Sequence, residues 1–329
     1  MPDVQNAPGV APSVPTGVMN QRILESLERG ETKKAQDAST QFTRTQLRED
    51  SFAYQILPPE QATDDMLDKS LTNDLPQIIW ELEPDSPGAK WIPLQTIPEG
   101  EYIQGSKYLI PMARIVTPKY TKDIDELRTY RMDLRKVLTD NSIKDGLAEY
   151  DGKFIETVNS IVEDTTGGVG TPQTFTGKIQ WRTFAGGLSR ENLAEAKKMM
   201  PSGSTFAGFE DKFRLRNHVM LMNDVTAQEF LKYEREEAGG DLSEEMFRNG
   251  LTMSKIFGLK TIFTIKGGLV PDNTVYFFAA PEFLGKAFYL TDWTMYLKKE
   301  AYFIECFSYW LGGFALGNVA GVARADFTP

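Results

Sequence analysis

The chain has 329 residues, 41% of them apolar and 25% charged, with a formal net charge of −10. That is room for two ordinary domains, or one with large insertions, around a sizeable core. The charge argues against general nucleic-acid binding while leaving space for a locally basic surface, no apolar run approaches the ~20 residues that span a bilayer, and the single cysteine, Cys306, has no internal disulfide partner.

The opening MPDVQNAPGVAPSVPTG has neither the basic start nor the apolar stretch of a secretory signal. Residues 1–17 are expected to be a loose tail. Asn20 can cap a short helix running to about Lys34, with Ile23, Leu24 and Leu27 on one side. Residues 35–74 are polar, with isolated apolar anchors at Phe42, Leu47, Phe52, Tyr54 and Ile56. They are expected to lie as an arm along another surface.

From residue 75 the pattern becomes extended. Ile78, Ile79 and Trp80 open one strand, Lys90-Trp91-Ile92-Pro93-Leu94 predicts a second, and Tyr102 to Val116 a long third. Turn residues at Pro84-Asp85-Ser86-Pro87-Gly88 and Pro98-Glu99-Gly100 separate them. A two-stranded ribbon is marginal alone in water, so its Trp and Ile side chains need a surface to pack on, and another subunit can supply it.

Past Thr121 the period is helical. Ile124, Leu127, Leu134 and Leu138 fit one stripe, and Ile143, Leu147, Tyr150, Phe154, Val158 and Ile161 fit another. The phase slips at Thr139-Asp140-Asn141-Ser142, where Ser142 and Asp145 resemble a helix start. Two helices, or one long helix bent near 139–142, are expected. Arg190 to Met200 predicts a helix, His218 to Met222 a strand, and a further helix begins near Thr226. Ile262 to Ile265, Val275 to Ala279 and Val319 to Phe327 are further strands. The mixture is α+β with much antiparallel sheet.

The order of these parts resembles the major capsid proteins of tailed bacteriophages, whose fold encapsulin nanocompartments share. Tyr108-Leu-Ile-Pro-Met-Ala-Arg-Ile-Val-Thr-Pro-Lys-Tyr-Thr121 is similar to the returning strand of that family's extended hairpin, the E-loop. Asp125-Glu126-Leu127 resembles the short helix after it, and Asp145 to Val162 the spine helix. Phe257-Gly258-Leu259 and Ala280-Pro281-Glu282-Phe283-Leu284-Gly285 look like parts of the central domain. Gly313-Phe314-Ala315-Leu316-Gly317-Asn318-Val319-Ala320-Gly321-Val322-Ala323-Arg324 is similar to a common capsid ending.

The resemblance implies an arm at 18–74, the E-loop hairpin at 75–119, and a peripheral domain with the spine helix at 120–170. It further implies a mainly axial domain at 171–290 and a return to the peripheral sheet at 291–329. It implies hexamers and pentamers of the chain closing into an icosahedral shell around double-stranded DNA, in a virion made in the host bacterial cytoplasm. Scaffolding, portal and decoration proteins are implied as partners, packaged DNA as a weak non-specific one, and no membrane. With so little chain ahead of the arm, the scaffold is expected to be a separate protein. An encapsulin-like cargo compartment is a second reading, and a carboxylate-dependent hydrolase on an α+β scaffold a third.

Residues that invite sharper readings have plainer ones beside them. His218, the one histidine, has apolar neighbours and reads as a strand residue rather than a general base. One His and one Cys rule against zinc sites and Cys–His nucleophile pairs. Gly167-Gly168-Val169-Gly170 lacks the ending of a phosphate loop, and Asp140 to Asp151 lacks the alternation of a calcium loop. No catalytic, cofactor or metal residue is therefore expected. Tyr296, Tyr302, Phe303, Phe307, Tyr309 and Trp310 read as sheet core. The expected subunit-interface residues are Trp80 and Trp91 on the ribbon, Lys107, and Arg114, Arg131 and Arg135, the arginines as partners for carboxylates.

Overall fold

The computed structural model describes residues 51–69, 75–82, 91, 92, 94, 97, 100, 106–123, 134–163, 174–175, 178–200, 215–232, 255–256, 258–300 and 302–328. Expectations placed on the tail, the arm before residue 51, the segment from 124 to 133 and Arg131 fall outside these residues. The chain divides into two compact units. One takes in Arg114–Ala148 and Thr291–Leu311, the other Ser51–Ala113, Glu149–Leu290 and Gly312–Pro329.

The strands in chain order are β1 (Glu60–Gln61), β2 (Gln77–Leu82), β3 (Ser106–Pro111), β4 (Ala113–Val116), β5 (Tyr120–Asp123), β6 (Thr174–Phe175), β7 (Lys178–Ile179), β8 (Trp181–Ala185), β9 (Val219–Asn223), β10 (Lys255–Ile256), β11 (Leu259–Thr264), β12 (Thr274–Phe278), β13 (Lys286–Glu300), β14 (Phe303–Ala315) and β15 (Val322–Thr328). The helices are α1 (Phe52–Ile56), α2 (Leu134–Val162), α3 (Arg190–Ala196), α4 (Asp224–Ala227) and α5 (Pro281–Leu284). The result is α+β.

In the second unit the six-stranded sheet runs β10-β11-β9-β12-β15-β8. All five residues of β9 are buried, as a strand covered on both faces requires. Met220 and Met222 point into a core with Phe277, Ala323, Phe327, Phe184, Leu193 and Phe230. On the opposite face Phe278 meets Phe154 of α2 at 5.7 Å, and the Tyr276 hydroxyl donates to Asn159 Oδ1 at 3.0 Å. Leu147, Tyr150, Phe154, Val158 and Val162 form the buried stripe of α2, the face that the helical period marks in the sequence.

The other sheet has the order β1-β13-β14-β4, with β5 also on β14. Along β14, Ile304, Cys306, Ser308 and Trp310 alternate inward. Tyr302 is exposed, and Tyr296 and Phe303 are largely so, so the aromatic run is core only on its inward side.

Three sequence expectations are corrected. First, the stretch is the single long helix of the two expected arrangements, α2 being continuous from Leu134 to Val162, so Ser142 does not start a helix. Its side chain is buried and its hydroxyl donates to Ser308 Oγ at 2.7 Å, a tertiary partner that replaces the local one. Second, the strand expected at 90–94 is absent at Trp91, Ile92 and Leu94, which have no strand pairing, and the long third strand breaks at Met112. Third, His218 lies one residue before β9 with its side chain exposed. Its backbone alone joins the sheet, the N–H donating to Phe278 and the carbonyl accepting from Lys260.

Candidate assembly surface

The hairpin of β2 and β3 presents two different faces. Its register pairs Ile78 with Ile110, Ile79 with Leu109, Trp80 with Tyr108 and Glu81 with Lys107. Because successive side chains alternate across a strand, Ile78, Trp80, Tyr108 and Ile110 share one face, and Ile79, Glu81, Lys107 and Leu109 the other.

The first face is an anchor. Ile78 and Ile110 are 1% and 0% exposed. The Trp80 ring lies 5.3 Å from Phe288, with the Lys286 ammonium 5.7 Å from the same ring. Two glycines make the anchor possible. A Cβ on Gly317 would sit 2.5 Å from the Tyr108 ring, and one on Gly313 would sit 2.0 Å from the Pro111 carbonyl oxygen. Only hydrogen at those positions lets the chain pass so close.

The second face is open. Ile79 and Leu109 are each 47% exposed although they face one another. Beside them the Lys107 ammonium meets Glu81 at 3.1 Å, both side chains exposed. Such a pair stabilises by at most about 1 kcal/mol. Between the two strands of the hairpin, Trp91 is fully exposed, and Leu94 and Ile97 nearly so. Scattered exposed apolar residues are ordinary, but Ile79, Trp91, Leu94, Ile97 and Leu109 all fall within residues 79–109.

The expected interface residues therefore divide. Trp91 and Lys107 are exposed on the segment named. Trp80 belongs to the anchoring face, and Ile79 and Leu109 hold the open one. Arg114 is exposed on β4. Arg135 lies on α2 with its side chain outside the described residues.

Sequence reasoning missed two charge clusters, one buried and one half-buried. Asp151 of α2 is buried, its Oδ1 accepting from the Ser51 hydroxyl at 2.6 Å and the Ala53 N–H at 3.2 Å, while the Lys266 ammonium donates to Oδ2. Burial pushes its pKa up, and Lys266, Ser51 and Ala53 pull against that rise. Arg324 of β15 is sandwiched between Trp181 at 4.6 Å and Tyr276 at 5.8 Å. Its guanidinium reaches Asp326 at 3.0 Å and Glu163 at 3.7 Å. Both clusters are tied to packing. Among the described residues no group of three or more His, Cys, Asp or Glu is placed to hold a metal ion, and no helix is long and apolar enough to cross a membrane.

No family model and no curated protein sequence matches the chain. Solved structures do. The capsid of the cyanophage P-SCSP1u is similar at a TM-score of 0.54 and 10% identity, over 84% of this chain and 92% of that one. The mature capsid of bacteriophage PhiM1 is similar at 0.54 and 10%, over 85% and 87%. A virus-like particle from Pyrococcus furiosus is similar at 0.51 and 12%, over 90% and 99%. At these identities the likeness is one of fold, and the fold of this chain is that of phage capsid proteins.

Proposed function

We propose that this chain is a structural protein that assembles in many copies into the icosahedral shell of a tailed phage, enclosing double-stranded DNA, and that it is not an enzyme. The observation that carries the reading is the hairpin anchored on one face and exposing Ile79 and Leu109 on the other, within a chain whose capsid-like fold covers most of its length. A monomer holds this ribbon out at the cost of exposed Trp, Ile and Leu; a neighbouring copy removes that cost. Obligate interfaces commonly bury more than ~2,000 Å², and repeated modest contacts act together in a closed shell.

In this reading residues 75–119 are the E-loop, α2 contains the spine helix, and the arm at 18–74 reaches a neighbour through its part before residue 51, since Phe52, Tyr54 and Ile56 are buried in this chain and Glu60–Gln61 pairs with β13. The domains are then peripheral at 120–170, mainly axial at 171–290, and peripheral again at 291–329. Hexamers and pentamers form the shell. Arg114, Arg131 and Arg135 are the proposed partners for carboxylates of other copies. Scaffolding, portal and decoration proteins are the expected companions, and the virion is its location.

The similarity to the Pyrococcus furiosus particle over 99% of that chain favours a second reading, an encapsulin-like compartment. Nuclease treatment of purified particles separates the two: protected DNA supports the virus shell, while particles filled with protein and free of DNA support the compartment. The assembly claim itself is tested by Ile79→Glu with Leu109→Glu. The double variant should stay folded by circular dichroism and form no particles in electron micrographs. Normal particles from it would contradict the role given to the hairpin.

A further inference from the structure

One corner of the six-stranded sheet gathers basic side chains. Lys255 and Lys260 are direct cross-strand partners of β10 and β11, so they leave the same face with Cβ atoms about 5 Å apart. Both are exposed. Lys260 is also in register with Val219, the first residue of β9, and its N–H donates to the His218 carbonyl. That places exposed His218 and Arg216 next to the pair. Asn217 Nδ2 donates to the Lys197 carbonyl at 2.6 Å, which ties the end of α3, with exposed Lys198, to the start of β9 on the other face of the sheet.

Like charges placed directly opposite one another oppose pairing, and several other exposed lysines of this protein are neutralised. Lys107, Lys119 and Lys153 each meet a glutamate. Among the described residues, Lys198, Arg216, Lys255 and Lys260 have no such partner, and the Lys260 ammonium reaches only the Gln55 carbonyl, at 3.4 Å. Of the two acids on α3, Glu191 and Glu195, the second is taken by Arg182 at 3.5 Å.

We propose that this corner contacts the phosphate backbone of double-stranded DNA, a site that rests on the DNA-enclosing reading. The groups fit that partner better than they fit a second copy. Ile256, Leu259 and Val219 beneath the lysines are all buried, so the corner offers charge without the apolar centre that a protein interface carries. Lysine can contact a phosphate as a point charge. The contact carries no base specificity, because nothing in it reads a groove.

The test compares the full-length chain with the double variant K255E/K260E and with K69E, whose lysine is already paired with Asp65. Binding to a short mixed-sequence DNA duplex is followed by fluorescence anisotropy from about 50 to 200 mM salt, with particles counted by electron microscopy in parallel. The wild type and K69E should bind with a salt-dependent affinity. K255E/K260E should bind at least about tenfold more weakly at low salt, with the log–log salt slope shallower by about 2. Equal binding by K255E/K260E and wild type overturns the proposal, as does a wild type that does not bind. Loss of particles by the variant with duplex binding unchanged also overturns it, and makes the corner a contact between copies. Failure of the shell reading registers separately, as absence of particles from the wild type.

Discussion

The Asp151 carboxylate is wholly buried against the Lys266 ammonium, which is itself 23% exposed. The two partners are therefore unequal. Removing Lys266 strands a buried acid; removing Asp151 leaves a cation that can still reach water. Lys266→Met is expected to cost about 3 kcal/mol at neutral pH. Asp151→Asn keeps an acceptor for Ser51 and Ala53, and its expected cost is about 1 kcal/mol. Urea unfolding of both variants checks the order, and equal costs would contradict it.

The same pair fixes a pH dependence of unusual sign. Burial raises the folded-state pKa of Asp151 above the ordinary carboxylate value. The folded protein then holds that proton more tightly than the unfolded chain does. Stability from this group is fully present below the unfolded pKa and is lost as pH rises through the raised folded value. Without Lys266 the opposing pull is gone, so the pKa rises further. The deficit of Lys266→Met relative to wild type should shrink on acidification. A deficit that stays constant between neutral and acid pH would mean that the two groups are not coupled.

Two glycines of α2 are expected to respond in opposite directions to alanine. A Cβ on Gly146 would lie 2.6 Å from the Trp293 ring, whereas one on Gly152 meets only a Leu269 methyl at 3.6 Å. Alanine in a helix interior gains about 0.5–1 kcal/mol over glycine. At Gly152 that gain should appear as a raised melting temperature. At Gly146 it is outweighed by overpacking against a buried indole, which costs about 1–3 kcal/mol. Thermal melts that move together for both variants would show that α2 does not pack as described.

Cys306 provides a chemical probe of β14. It is buried, and burial pushes its thiol pKa up to about 12. The thiolate is the reactive species, so an aromatic disulfide reagent at mildly alkaline pH should modify the native chain very slowly and the urea-unfolded chain within minutes. Fast modification of the native protein would place Cys306 at the surface.

What could be read in the sequence was what repeats locally. The stripe through Leu147, Tyr150, Phe154 and Val158 marks the buried face of α2 because the helical period is carried by adjacent turns. The apolar run of β9 is legible for the same reason. What could not be read depends on distant partners. Ser142 resembles a cap until Ser308, 166 residues away, takes its hydroxyl. Asp151 resembles a solvated helix residue until Ser51 and Lys266 arrive from 100 and 115 residues away. Trp80 and Ile79 are equally apolar in the sequence. Only the register with Tyr108 and Leu109, and Phe288 beneath, separates the anchoring face from the open one.

The most direct test of the account is electron microscopy of the purified full-length chain, with light scattering on the same sample. The expected result is closed shells of uniform diameter built from many copies of the 37.0 kDa chain. A stable, folded monomer at every protein and salt concentration tried would contradict it.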